Sequence, residues 1–118
     1  MIGCDCGVCR STDPRDARTR PSIALTLDDG TAVLVDTTPD LRTQALRHDL
    51  RRVDAILFTH AHADHIMGLD EIRRYNMLTR QPVPVYSDAR TLEDLYEVDG
   101  WARAQAQELI GHAPAASL

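Results

Sequence analysis

The sequence predicts an α/β (α+β) fold, a sheet with helices laid on it, and three observations carry that expectation. Apolar residues make up 43% of the 118-residue chain, enough for a globular core. The apolar runs follow one another in the order β, β, α, β, α, β, α, which sets helices between strands. Two of the runs are separated by Asp29-Gly30, a pair that tolerates positive φ and marks a β-hairpin. A chain of this length buries roughly two-thirds of its unfolded surface, so one domain of modest core is expected and several domains are not.

Residues 1–22 hold Cys4, Cys6, Cys9, Pro14, Pro21 and four arginines without apolar periodicity, so they read as an irregular loop that needs a staple. Ser22–Leu27 and Ala32–Asp36 are the arms of the hairpin. Thr38 is placed to cap a helix with Pro39 at its first position and Leu41, Ala45 and Leu46 as its apolar stripe. Asp54–Thr59 is a short, mostly apolar run leading into His60, as expected of a buried strand. A helix with Leu69 and Ile72 on one face follows, ending near Tyr75-Asn76. Val83–Tyr86 reads as a further strand, with Pro84 favouring an edge or early position. Asp88 caps a helix running through Leu92, Leu95 and Val98. The organisation is a Cys-rich loop over 1–22, a body over 23–98, and an Ala- and Gln-rich tail over 99–118, helical or frayed.

Thirteen Arg and no Lys stand against 18 acidic residues, a net charge of −5 that makes a duplex-nucleic-acid partner a poor expectation. No stretch approaches the roughly 18 apolar residues of a membrane span, and the N-terminus lacks the charged and apolar regions of a signal peptide. A cytoplasmic protein is expected. Its three cysteines are crowded into six residues, too close for a sensible disulfide framework, and in a reducing compartment that crowding favours a metal site.

The most informative segment is His60-Ala61-His62-Ala63-Asp64-His65, three imidazoles and a carboxylate directly after an apolar strand. At a strand end, alternate residues such as His60 and His62 point the same way, while Asp64 and His65 lie on the turn into a helix and aim at a neighbouring point. Four ligands could therefore serve two ions. Imidazole and carboxylate suit zinc, and also manganese or iron. Ala61 and Ala63 leave space for the cluster.

These residues match the H-x-H-x-D-H motif, and the chain here resembles the metallo-β-lactamase-fold hydrolases. With Gly3-Cys4-Asp5-Cys6-Gly7-Val8-Cys9 and a hairpin ending in Val35-Asp36, it is similar to the branch containing phosphoribosyl 1,2-cyclic phosphate phosphodiesterase, from residue 3 to about residue 90. The coenzyme-biosynthesis protein of pyrroloquinoline quinone has a similar Cys cluster. The resemblance implies that His60 and His62 bind one metal and Asp64 and His65 the second, with zinc or manganese at both. It implies a separate structural zinc on Cys4, Cys6 and Cys9, and for Asp36 an organising role behind the metal loop. It also implies the N-terminal half of an αββα sandwich, truncated, with 23–98 a partial domain and a change of character near residue 99. The family's further His, bridging Asp and final His have no convincing counterpart; His48 reads as a surface residue and His112 as a poor substitute.

With both ions in place, the expected chemistry is hydrolysis of a small anionic substrate, a cyclic phosphodiester, by a metal-bridging hydroxide, with Asp64 the candidate catalytic carboxylate as well as a ligand. Arg10, Arg15, Arg18 and Arg20 could gather around such an anion, although a solvated loop is the simpler account. The alternative is a non-catalytic zinc-binding or partner-binding remnant of such a hydrolase. A lactamase, thiolesterase or RNA-processing member of the fold is a third reading, and an exposed apolar edge makes a homodimer an expected partner state.

Overall fold

The computed structural model describes residues 2–112, with side chains described as far as residue 108; the end of the expected tail, 113–118, and the His112 side chain lie outside the described residues. Four strands form one sheet in the order β1 (Ile23–Thr26), β2 (Ala32–Val35), β3 (Ala55–Leu57) and β4 (Val85–Tyr86). β1 and β2 are the expected antiparallel hairpin, in register Ile23 to Val35 and Leu25 to Val33. Its turn closes through Gly30 N–H to the Leu27 carbonyl at 2.9 Å, with Gly30 at φ 82°. β3 runs parallel to β2 and to β4, so the connections cross over through helices. Pro84 precedes an outer strand, the edge position expected of it, and its carbonyl accepts from Ile56 N–H at 2.9 Å.

One face of the sheet is covered. Leu34 and Ile56 point into a core with Leu41, Val53, Phe58, Ile72 and Tyr75, joined by Leu50, Ile66, Val83 and Leu95 at its margin. The other face carries the alternate positions: Ile23, Leu25, Leu57 and Tyr86 are 56, 48, 41 and 55% exposed. Period-2 alternation here is apolar on both sides, the pattern of a sheet built to be covered twice.

The helices depart from expectation, each for a local reason. α1 (Leu41–Arg47) starts two residues after Pro39, because the Thr38 hydroxyl accepts from Asp40 N–H at 3.2 Å and caps the turn before the helix. Leu41 is buried but Leu46 is 72% exposed, since five residues on a helix turn the side chain well away from the first. The single helix expected after the histidines is broken into α2 (Ala63–Ile66), a 3-10 turn (Leu69–Ile72) and α3 (Arg73–Thr79), which ends at Arg80 in the left-handed conformation, φ 57°. Ile72 faces the core, whereas Leu69 is 40% exposed. α4 (Ala89–His112) begins with the Asp88 carboxylate accepting from Thr91 N–H at 2.7 Å and runs unbroken through residue 99.

The break at residue 68 positions the site. Gly68 N–H donates to the Thr37 carbonyl at 2.8 Å, Thr37 N–H to the His65 carbonyl at 2.7 Å, and the Thr37 hydroxyl to the Ile66 carbonyl at 3.1 Å. Thr37 and Thr38 are fully buried. A Cβ at residue 68 would stand 2.0 Å from the Thr38 carbonyl oxygen, so the two segments approach this closely only because Gly has no side chain.

Gly68→Ala is therefore expected to destabilise by about 2–3 kcal/mol, because backbone has to separate. Gly30→Ala, strained by its positive φ but open to solvent, should lose only about 1 kcal/mol. Thermal melts of the two variants rank them, and an equal or reversed order contradicts the close packing of residues 37–38 on residue 68.

Candidate metal centre

The histidine segment is carried out of the sheet by β3. Phe58 is buried and its N–H still pairs with the Tyr86 carbonyl at 2.8 Å, so pairing fixes the chain up to the residue before Thr59. His60 and His62 then alternate, with His62 extended at φ −67° and ψ 144° before α2 begins at Ala63. The first turn of α2 supplies Asp64 and His65, and His65 N–H returns to the His62 carbonyl at 2.9 Å. This packs the rings of His62 and His65 against that of His60, although, among the described residues, no three ligand atoms of the segment lie within 4.8 Å of one another as those of the cysteines do. The His60 ring lies 4.5 Å from that of His62 and 3.9 Å from that of His65, between centroids. The Asp64 carboxylate is half-exposed and reaches His65 Nε2 at 3.7 Å.

Behind the cluster sits Asp36, at the end of β2 and in the left-handed region at φ 61°. Its side chain is 7% exposed and receives three hydrogen bonds. Oδ1 accepts from Thr59 N–H at 2.9 Å, and Oδ2 accepts from the Thr59 hydroxyl at 2.8 Å and from His65 Nδ1 at 2.7 Å. Burial pushes the Asp36 carboxyl up, but these bonds from Thr59 and His65 outweigh it and hold the group below the ordinary carboxylate range. With Asp36 accepting, the proton of His65 lies on Nδ1, which leaves the Nε2 lone pair free for a metal on the side where Asp64 lies.

The cysteines converge as a second group. The sulfurs of Cys4, Cys6 and Cys9 all lie within 4.8 Å of one another in a loop with little regular structure beyond a 3-10 turn at Pro14–Asp16. Thiolates sharing one zinc at bond lengths near 2.3 Å stand about 3.8 Å apart, so a small contraction would seat an ion, with a fourth position left for another ligand. The Cys6 thiol is pulled down to about 7, first by the Cys9 N–H and then by the Cys4 and Cys9 side chains, which favours the thiolate that binds metal.

Other expected contributors lie elsewhere. Arg10 and Arg15 are paired with Asp5 and Asp13 of their own loop, each at 2.6 Å, and Arg20 with Asp40 at the start of α1, at 3.2 Å. His48 is exposed at the C-cap of α1. Sequence reasoning missed Thr59, whose signal was only its place between a strand and His60, and Gly68, which reads in sequence as an ordinary helix-internal glycine.

Two separable metal groups are expected. Metal analysis of Cys4→Ser/Cys6→Ser and of His60→Ala/His62→Ala should show loss of different portions of bound zinc, and equal loss of all zinc from either double variant contradicts separate sites. Asp36→Ala should weaken binding about 10–100-fold in competition with a coloured chelator, and Asp64→Ala, which removes a candidate ligand, should weaken it more. The reverse ranking contradicts these roles.

A family model described as a beta-lactamase superfamily domain matches residues 31–115, which include Asp36 and the whole histidine segment. A coenzyme PQQ synthesis protein B of Cupriavidus necator is 34% identical over 101 residues, covering 78% of this chain and 32% of that protein. An octanoyltransferase of Porphyromonas gingivalis is 40% identical over 94 residues, covering 80% of this chain but 19% of that protein. Among solved structures, a diphosphatase from the PhnP family superposes with a TM-score of 0.75 at 48% identity, over 86% of this chain and 41% of that one. Zinc-bound PqqB from Methylobacterium extorquens superposes with a TM-score of 0.62 at 26% identity, over 80% of this chain and 34% of that one. The chain thus spans less than half the length of each of these relatives. With its parallel strands, crossover helices and histidine loop at a strand end, it belongs to the beta-lactamase superfamily and has the metallo-β-lactamase fold over the part that it spans.

Proposed function

We propose that this chain carries the metal-binding half of a metal-dependent hydrolase acting on small anionic phosphodiesters, a cyclic phosphodiester being the substrate first expected. The observation that carries this reading is the packing of the His65 and His62 rings on His60, 3.9 and 4.5 Å between ring centroids, with His65 on a buried carboxylate. Imidazoles packed this closely are poorly explained as independent surface residues. His60 and His62 hold one ion and Asp64 and His65 a second, while Cys4, Cys6 and Cys9 hold a structural zinc. Zinc or manganese bound at the histidines would supply Lewis acidity toward a phosphoryl oxygen and an activated water.

The chain's own residues shape the remainder. A cavity of about 380 Å³ lies between the histidine loop and the first turns of α4, bordered by Thr59, His60, His62, Arg90 and Asp94. That volume suits a small molecule. Arg90 is the cation on its wall, placed to meet a phosphate oxygen, and Asp88 is engaged at the α4 cap. The similarity to a PhnP-family diphosphatase favours a second substrate reading, a phosphoanhydride, which asks for the same metal chemistry. The non-catalytic alternative keeps the thiol cluster and leaves the histidines without turnover. We further propose a cytoplasmic setting, which keeps the thiols reduced, and a homodimer through the open face carrying Leu25 and Leu57.

The test is hydrolysis by the purified chain, with zinc or manganese, of bis(p-nitrophenyl) phosphate, a cyclic ribose phosphate and pyrophosphate. Four candidate ligands for two ions leave each ion with two, so metal-dependent turnover well below about 1 s⁻¹, abolished by His62→Ala, is expected. Turnover indifferent to His62→Ala, or no metal-dependent turnover on any of the three, overturns the hydrolase reading.

A further inference from the structure

We infer that Thr59 is a positioning residue: its hydroxyl carries the hold of Asp36 on to His60, so that one buried carboxylate fixes the ligand atoms of both candidate metal pairs through two separate arms. The inference rests on the metal-binding reading above and extends it to a residue which that reading does not use.

A proton count along a short chain of hydrogen bonds sets the state of each ring. Thr59 Oγ1 stands 2.8 Å from Asp36 Oδ2 and 2.9 Å from His60 Nδ1. A hydroxyl has one proton to give. The Asp36 carboxylate already accepts from Thr59 N–H and from His65, and the Thr59 hydroxyl stands as a third donor to it, so the hydroxyl proton points to Asp36. Thr59 Oγ1 is then an acceptor toward His60, and neutral His60 has to carry its proton on Nδ1. Its Nε2 is left bare.

His65 reaches the same state directly, through Nδ1 to Asp36 Oδ2 at 2.7 Å. The arms are therefore unequal. His65, of the Asp64 pair, is held by the carboxylate itself. His60, of the His62 pair, is held only through the Thr59 hydroxyl, and no hydrogen bond to the His62 ring is found among the described residues that would replace it. Removing the hydroxyl should cut one arm and leave the other.

Thr59→Val removes the hydroxyl while keeping the β-branched shape and the N–H bond to Asp36 Oδ1. Two measurements read the outcome. In metal-free protein at pH 8, nitrogen-15 shifts of the imidazoles should report His60 with its proton on Nδ1, in a mixture of tautomers in Thr59→Val, and restored in Thr59→Ser, with His65 unchanged throughout. In stepwise zinc titration against a chelator, Thr59→Val should weaken the His60-dependent ion roughly 10–100-fold, spare the ion that depends on Asp64, and recover to within about threefold in Thr59→Ser. An unchanged His60 tautomer in Thr59→Val overturns the inference, whatever the zinc data show. Equal weakening of both ions overturns it too, since that is the mark of a general loss of structure. If wild-type zinc binding is indifferent to His60→Ala while the tautomers behave as described, the metal assignment falls and the Thr59 relay stands.

Discussion

The carboxylate of Asp36 is the fixed point from which the site is built. It lies at the end of β2 in a left-handed conformation that costs an L-residue about 1–2 kcal/mol, and its charge is withdrawn from water. Three hydrogen bonds from Thr59 and His65 offset both penalties, each charge-assisted and of a kind typically contributing about 1.5–3 kcal/mol. Because the donors come from the far end of β3 and from α2, the same bonds that stabilise the carboxylate fix where the histidine loop runs. The loop is tied a second time through Thr37, whose N–H and hydroxyl meet the His65 and Ile66 carbonyls. Gly68 lets the two segments close.

The remainder of the fold serves as support for that junction. Leu34 and Ile56, from the two strands that end at the site, are the most deeply placed apolar side chains of the sheet, with α1 and the segment from Ile72 to Tyr75 packed on them. The strands are thereby held in register where Asp36 N–H meets the Leu57 carbonyl at 2.9 Å, so the carboxylate and the histidines emerge side by side. The opposite face of the sheet contributes nothing to this support: Ile23, Leu25, Leu57 and Tyr86 stand exposed on it. Site and second face are therefore physically distinct, one organised within the described residues and the other open.

What was legible in the sequence follows the range of the interactions. The hairpin at Asp29-Gly30 and the His60–His65 segment are local, with turn chemistry and ligand spacing written within a few residues, and both lie where expected. Asp36 was visible only through family resemblance, because its partners are 23 and 29 residues away. Thr59 and Gly68 were not legible: a threonine after a strand and a glycine in a helical pattern have ordinary readings until the segment that each touches is known. α4 continues across residue 99 for a local reason, since Ala102, Arg103, Ala104 and Gln105 are good helix formers and no proline intervenes. Leu46 failed as a stripe residue because five positions along α1 turn its side chain well away from that of buried Leu41.

Asp36 thus holds His65 Nδ1 directly and His60 Nδ1 through the Thr59 hydroxyl, which turns Nε2 of both rings outward as the ligand atoms that the proposed function requires. A crystal structure of the zinc-loaded chain, with anomalous data at the zinc edge, tests this most directly. Zinc is expected on the Nε2 side of both rings, with His65 Nδ1 still on Asp36 and His60 Nδ1 still on Thr59. Zinc bound through Nδ1 of either histidine, or by Asp36 itself, would contradict it.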